Sequence, residues 1–274
     1  MTVSHFRKLF DLTGRSALVT GGCGIIGTRL CHGLADLGAS VAIVDLDAAR
    51  TTDLAAELRA TYKVPAFGYA CDIVEPTHVQ ELKVSVDGDL GDVSILFNNA
   101  AAKTPNLADF FTPVENFRLD LWRHVTAVNL DGMFNVAQVF GGAMARNGYG
   151  SIIQTSSIYG VVAPDQRIYE GSEYLGLAIN TPAIYSTTKA GVIGLTRHLA
   201  TYWGHRGVRV NAISPGGVRS GQNQRFVEQY SARVPLGRMA EADEIVSAGL
   251  FLASDASKYI TGQNLVVDGG MSCW

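Results

Sequence analysis

Tyr185 and Lys189 stand four residues apart in Tyr185-Ser186-Thr187-Thr188-Lys189, a spacing that puts both side chains on one face of a helix. An ammonium beside a phenol stabilises the phenolate and lowers its pKa from about 10 toward working pH. A tyrosine tuned in this way can exchange a proton with a substrate hydroxyl or carbonyl while a hydride moves to or from a nicotinamide. The same spacing also arises by chance in exposed helix pairs. Its weight here comes from its place, after the fifth strand of a sheet that begins with a phosphate loop.

That loop is Thr20-Gly21-Gly22-Cys23-Gly24-Ile25-Ile26-Gly27, directly after an apolar run of strand length. Glycines there permit a tight turn, close approach of backbone to a pyrophosphate, and close packing of the next helix. The helix would aim its unpaired N–H groups and positive dipole end at the phosphates. The second strand ends at Asp45, 18 residues after Gly27. A carboxylate there can accept hydrogen bonds from both adenosine ribose hydroxyls and repel the additional phosphate of NADP. With no Arg or Lys in the turn, NAD is the expected cofactor. Asp45 could equally be a solvated strand-end residue capping the next helix, a role open to Asp47 as well.

The elements that must position these groups are legible as apolar runs alternating with helix-period stretches. Strands are expected at Ser16–Thr20, Val41–Val44, Phe67–Ala70, Ser94–Phe97, Ser151–Gln154, Val208–Ile213 and Asn264–Val267. Helices are expected from Ile25 to Leu37, ended by Gly38, then through Ala60, from Leu121 to Arg146, and from Pro182 to Trp203. Strands apolar on both faces and separated by helices imply an α/β fold, a parallel sheet of about seven strands covered on both sides. Right-handed crossovers make it doubly wound, with ligands at the carboxyl ends of the strands. No repeat, low-complexity tract or linker divides the chain, so residues 1–274 are expected to form one domain.

Composition sets the outer bounds. With 47% apolar and 17% charged residues, the chain can bury a large core, which excludes a disordered or fibrous protein. The 22 basic and 25 acidic residues are interspersed, so neither nucleic acid nor an anionic membrane is an expected partner. Cys23, Cys31, Cys71 and Cys273 are scattered, without metal-ligand spacing; free thiols, no metal and a cytoplasmic location are expected. Met1 to Gly14 carries no long apolar stretch and is not read as a secretory signal.

Taken in order, these motifs resemble those of the short-chain dehydrogenase/reductase superfamily over nearly the whole length. They are the Gly-rich turn, Cys71-Asp72-Ile73, Asn98-Asn99-Ala100, Val128-Asn129-Leu130, Ser156-Ser157, the Tyr185/Lys189 pair, Pro215-Gly216 and Val267-Asp268-Gly269-Gly270. The resemblance implies a Rossmann domain and an NAD(H)-dependent oxidoreductase interconverting a secondary alcohol and a ketone. It implies catalytic roles for Asn129, Ser157, Tyr185 and Lys189. Asn129 would hold a relay water, and Ser157, with Ser156 as the competing choice, would bond the reacting oxygen. Cofactor contacts would come from Gly21, Gly24, Ile26, Gly27, Asp45, Asp72, Ile73, Asn99 and Ala100, with Asn98 lining the cleft. Tyr185, Lys189, Pro215, Val218 and Ser220 would complete them at the nicotinamide end. Members of the superfamily usually form homodimers or homotetramers, and apolar positions within Val125–Phe140 and Val192–Leu199 could serve such a contact or face the sheet.

The sequence departs from the family pattern in two places. Ile25 stands where short members usually have glycine, a spacing closer to the extended branch of nucleotide-sugar epimerases and dehydratases. Ser157 and Tyr185 lie 28 positions apart, about twice the usual separation. The added segment, 161–181, begins and ends at the active-site mouth, and loops of this length usually serve function or are disordered. It carries Asp165, Arg167, Tyr169, Glu170 and Glu173, expected to offer polar contacts to a polyhydroxylated or phosphorylated small molecule. Its start, Ser156 to Asp165, resembles bacterial dehydrogenases of sugar and surface-glycan pathways. In the family, the region 217–238 is a flap over the substrate; here Arg219, Arg225, Arg233 and Arg238 could meet an anion or be solvated. His32, His78, His124 and His198 read as surface or packing residues, and Trp274 as a candidate for a subunit contact. Two other functions fit the same motifs. An epimerase or dehydratase would retain its NAD and show no net absorbance change, and a non-catalytic binding protein would have lost part of the Asn129, Ser157, Tyr185, Lys189 set.

Overall fold

A computed structural model of the protein describes residues 5–274; the expectation for the N-terminal segment lies, at Met1–Ser4, outside the described residues. Among the described residues, nine strands form two sheets. β1 (Ser16–Thr20), β2 (Ser40–Asp45), β3 (Ala66–Ala70), β4 (Ile95–Asn98), β5 (Gly150–Thr155), β8 (Val208–Pro215) and β9 (Asn264–Val267) make one parallel sheet in the order β3-β2-β1-β4-β5-β8-β9. β6 (Glu173–Tyr174) and β7 (Leu177–Ala178) form a small antiparallel hairpin.

Alternation along the strands builds two cores. Ala17 and Val19 of β1 join Leu30, Leu34, Leu54, Ile245 and Leu252 on one face, beneath the Ile25–Asp36, Ala48–Tyr62 and Ala242–Ala253 helices. Leu18 points the other way, with Val79, Val136, Phe140, Leu199 and Trp203 from Pro76–Leu90, the 119–147 segment and Ala183–Trp203. Both layers exclude water from a sheet that could not face it on either side. The strand order reverses between β1 and β4, which opens a crevice at the carboxyl ends of the strands.

One expectation about elements is corrected, and one left open between two alternatives is narrowed. The segment read as one helix from Leu121 to Arg146 is broken: Leu119–Thr126 is α-helical, Ala127–Gly132 and Ala137–Gly141 are π-turns, and Met133–Val136 and Gly142–Asn147 are α-helical. A π-turn widens the helix by a residue and commonly marks a functional position; the first of these carries Asn129. The apolar positions offered as a subunit contact largely face the sheet, since Val125, Val136, Phe140 and Val192 are fully buried. Phe134, 45% exposed, faces outward instead.

Segment 161–181 is ordered rather than a bare loop. It holds a short turn of helix at Gln166–Tyr169 and then the hairpin. Leu175 and Gly176, both at positive φ (53° and 75°), form the two-residue hairpin turn, a geometry that usually selects Asn-Gly.

Candidate active site

The crevice holds two adjoining cavities. One, of about 720 Å³, is lined by Gly21, Gly24, Ile25, Ile26, Gly27, Asp45, Asp72, Ile73, Asn99 and Ala100, every residue expected at the adenosine and pyrophosphate end. Gly21 takes φ +62°, and a Cβ there would come within 2.9 Å of the Ala100 Cα. At Gly27 a Cβ would collide with the Gly21 carbonyl. The loop is therefore shaped as a cradle only glycine allows. Gly24 gives the following helix no side-chain cap, which leaves its first N–H groups for an anionic ligand. Ile25 opens that helix with its side chain 57% exposed, so the departure at this position leaves the turn intact.

Asp45 and Asp47 divide the roles left open between them. Asp47 caps the Ala48–Tyr62 helix by accepting from the Arg50 N–H. Asp45 stays at the cleft, accepting from the Cys23 N–H at 3.0 Å and the Leu46 N–H at 2.8 Å. The nearby Arg50 guanidinium donates to the Cys23 carbonyl from a separate surface recess and does not line the cleft. Asp72 accepts from the Val74 N–H at 3.0 Å, and Asn135 donates to the Ile73 and Val74 carbonyls, both at 3.1 Å, which fixes this wall of the cavity.

The second cavity, about 480 Å³, is lined by Ser157, Tyr185, Lys189, Asn99, Pro215 and Val218 among others. Tyr185 lines both cavities and marks their junction. Lys189 is buried, donating from Nζ to the Thr155 carbonyl at 2.8 Å, and burial pulls its pKa down to about 8. The Nζ lies 5.9 Å from the Tyr185 ring centroid. Burial pushes the Tyr185 hydroxyl up, with hydrogen bonding to Ser157 opposing it. The direction is opposite to the lowering expected from Lys189, because loss of solvent penalises the phenolate.

The two serines also separate. Ser156 donates to the Lys189 carbonyl at 2.7 Å and pins the catalytic helix to β5. Ser157 accepts from the Tyr159 N–H at 3.2 Å and keeps its hydroxyl at Tyr185. Asn129 is fully buried and lines neither cavity; its Oδ1 accepts from the Ala102 N–H at 2.8 Å and its Nδ2 donates to Thr188 Oγ1 at 3.3 Å. It splints the 99–103 loop to the helix that carries Tyr185 and Lys189.

Other expectations are corrected. Asn98 does not line the cleft: it is fully buried and donates to the Met133 carbonyl at 2.7 Å. Ser220 is exposed outside both cavities, where its N–H and hydroxyl are held by Gln222, and Gln222 lines the cleft in its place. Three of the four flap arginines meet protein rather than an open anion site, while Arg219 is exposed. Arg225 donates to the Glu170 carbonyl at 3.0 Å, Arg233 pairs with Asp165, and Arg238 forms a two-pronged pair with Glu244 at 2.6 and 2.7 Å. Asp165 and Arg167 of the insertion bind each other at 2.7 Å. Of the five insertion residues expected to offer polar contacts, Asp165, Arg167, Tyr169, Glu170 and Glu173, only Tyr169 lines the cleft.

Several cleft residues were not anticipated. Tyr159, Asn180, Thr181 and Tyr230 line the second cavity, His124 the first, and Lys103 both. Lys103 lies 5.2 Å over the Tyr174 ring at the hairpin, with its pKa lowered by burial. Tyr159, two residues beyond Ser157, had a positional signal; the others depend on how the insertion and flap pack. Ile168 of the insertion, Phe226 and Tyr230 of the flap, and Met271 near the C-terminus share a satellite core.

Comparison with known proteins agrees with this geometry. A family profile described as short chain dehydrogenase matches residues 15–231. The chain is 35% identical to D-threitol dehydrogenase of Mycolicibacterium smegmatis over 269 residues, covering 95% of this chain and 94% of that one. Among solved structures, a gluconate 5-dehydrogenase from Burkholderia cenocepacia J2315, in complex with NADP and tartrate, superposes with TM-score 0.86 at 32% identity. That match covers 98% of this chain and 100% of the other. NAD+-bound xylitol dehydrogenase superposes with TM-score 0.83 at 29% identity, over 95% and 100% of the chains.

Proposed function

The chain belongs to the short-chain dehydrogenase family and is an NAD(P)-dependent oxidoreductase acting on CH–OH groups, and from that premise we propose that it uses NAD(H) to interconvert an acyclic sugar alcohol and its ketone. One observation carries the substrate class: beside Tyr185 and Ser157 the cleft is lined by Tyr159, Tyr169, Thr181 and Asn180, with no carboxylate among its lining residues and Lys103 and Lys189 as its cations. Neutral groups that can both donate and accept suit a chain of vicinal hydroxyls. The names of relatives acting on threitol and xylitol support the same class.

Gly21, Gly24, Ile26 and Gly27 would hold the pyrophosphate, and Asp45 the adenosine ribose. Asp72, Ile73, Asn99 and Ala100 would line the adenine and nicotinamide path, and Pro215 and Val218 the carboxamide end. A bound nicotinamide dinucleotide would take a hydride from the alcohol carbon. Ser157 donates to the reacting oxygen and fixes it beside Tyr185. The phenolate form of Tyr185 would take the hydroxyl proton as the carbonyl forms, and the phenol would return it in the reverse direction. Oxidation therefore requires Tyr185 to lose its proton first, against the burial that raises its pKa. Lys189, anchored on the Thr155 carbonyl, keeps a positive charge under that phenol. Preference for NAD rests on Asp45 at the ribose end and on Arg50 being turned away from the cleft. Assembly as a homodimer or homotetramer is proposed from the family likeness, and a reducing, cytoplasmic setting from the four free thiols.

The test is fluorescence titration with NADH and NADPH, then absorbance assays on four- to six-carbon polyols. Tighter NADH binding, weakened at least about tenfold in Asp45→Ser, with polyol oxidation lost in Tyr185→Phe while binding persists, is the expected outcome. Binding of neither dinucleotide would overturn the cofactor reading; turnover of simple alcohols without polyols would overturn the substrate reading.

A further inference from the structure

Beside the substrate cleft lies another cavity of about 840 Å³, bounded by Pro113, Val114, Pro164, Pro182 and Ala183. Tyr169, Asn180 and Thr181 line both this cavity and the cleft that contains Tyr185. The two spaces are therefore separated by the thickness of three side chains.

Each of the three is held in place. The Tyr169 hydroxyl bonds Thr181 Oγ1 at 2.5 Å and the Tyr159 hydroxyl at 3.2 Å. Its ring stacks on Phe226 of the flap, with centroids 5.6 Å apart. Gln166 grips the backbone of Thr181 on both sides, donating to its carbonyl at 2.9 Å and accepting from its N–H at 3.4 Å. Asn180 donates to the Phe111 carbonyl at 2.5 Å. A wall fastened to the flap, the insertion and the 110–111 turn is a built boundary rather than a chance contact.

The faces of the wall differ in chemistry. The cleft side carries Tyr159, Ser157 and Tyr185 near the wall. The space behind it has Pro113, Pro164, Pro182, Ala178, Ala183 and Ile179 along its lining, with Thr112, Gln166, Glu170, Ser186 and Thr187 among them. A short polyol would end against the wall with its far hydroxyls bonded, whereas an alkyl extension would need the space beyond.

We propose that Tyr169, with Asn180 and Thr181, is a partition that sets the chain length of the alcohols this enzyme accepts. Removing the ring joins the two cavities into one site for chain-extended secondary alcohols. The proposal rests on the alcohol-oxidising reading above.

The experiment measures kcat/KM along a 2-alkanol series from four to twelve carbons, beside the polyols. Wild type is expected to lose activity steeply, about tenfold or more, beyond the length that fills the inner cleft. Tyr169→Leu, which keeps apolar packing on Phe226, should move that limit by two or more carbons and raise the long-to-short ratio about tenfold. Tyr169→Phe keeps the ring and should keep the limit. An unchanged limit in Tyr169→Leu, or a wild type indifferent to length, would overturn the partition. Should Tyr169→Leu fail to fold, Asn180→Ala opens the same wall without touching the Phe226 stack. If wild type oxidises alkanols but no polyol, the substrate reading falls while the length test stands. If no alcohol is turned over, a crystal structure of Tyr169→Leu decides: two cavities still separate would sink the proposal, and one merged cavity would uphold it.

Discussion

Ser156 and Ser157 are neighbours with opposite duties, and that difference can be measured. Ser157→Ala removes the group beside the reacting oxygen; kcat/KM should fall by about 10²–10³ with the melting temperature nearly unchanged. Ser156→Ala breaks a buried bond to the Lys189 carbonyl and should cost about 1 kcal/mol of stability with a smaller loss of turnover. Equal kinetic losses in the two variants would mean the roles are not divided as the hydrogen bonds indicate. Lys189 offers a second test. Its native pKa, about 8, lies below its ordinary value near 10.5, so the folded protein gives up that proton before the unfolded chain does. The cost of burying the charge is therefore full below about pH 8 and fades as pH rises toward 10.5. Lys189→Met should be inactive yet more stable at pH 7, on the order of 1–2 kcal/mol after loss of its bond to Thr155. In urea denaturation that gain should shrink by pH 10; a destabilised variant at pH 7 would contradict the account. That Ser157, Tyr185 and Lys189 meet in one cleft was legible because spacing and family order constrain them. Asn98 and Ser220 were misplaced because a one-residue shift along a strand end or loop decides whether a side chain faces the cleft or the core.

At the scale of elements, the hairpin turn is the weak point. Leu175 holds φ +53° with its side chain 80% exposed, a backbone region that costs a bulky residue about 1–2 kcal/mol with no packing in return. Leu175→Asn should stabilise the protein by about 1 kcal/mol, seen as a higher denaturation midpoint and slower proteolysis within 161–181. A neutral or destabilising result would mean the turn does not hold this conformation in solution. The seven sheet strands could be read from apolar runs because parallel strands are buried on both faces. The hairpin could not, since its strands are two residues long and its turn lacks the Asn that usually announces it. The break of the 119–147 helix into α and π segments was likewise hidden: a π-turn leaves the apolar pattern nearly intact while rotating the residues after it. How the insertion docks on the flap, through Asp165–Arg233 and the Tyr169–Phe226 stack, depends on pairs distant in sequence that no local pattern marks.

For the molecule as a whole, the open question is what covers the outer helical layer. Val125, Val136, Phe140 and Val192 are buried, while Phe134, 45% exposed, and Leu119, 60% exposed, are outward groups on that layer. If assembly uses this face, Phe134→Glu should shift the species seen by light scattering to a smaller one while leaving NADH binding in place. Identical masses for both proteins would move the contact elsewhere. No helix among the described residues is long and apolar enough to cross a membrane.

The insertion leaves the body just past β5 and returns at the start of the Ala183–Trp203 helix, so its two ends are held by the same pair of packed elements. Closing such a loop grows more costly only with the logarithm of its length; doubling it adds about 0.6 kcal/mol of chain entropy. The sheet, the phosphate cradle and the Tyr185–Lys189 helix need not register that change. A lineage carrying this fold can lengthen, shorten or exchange the segment facing its substrate as a cassette, and so pass from one alcohol to another while its reaction chemistry is inherited whole.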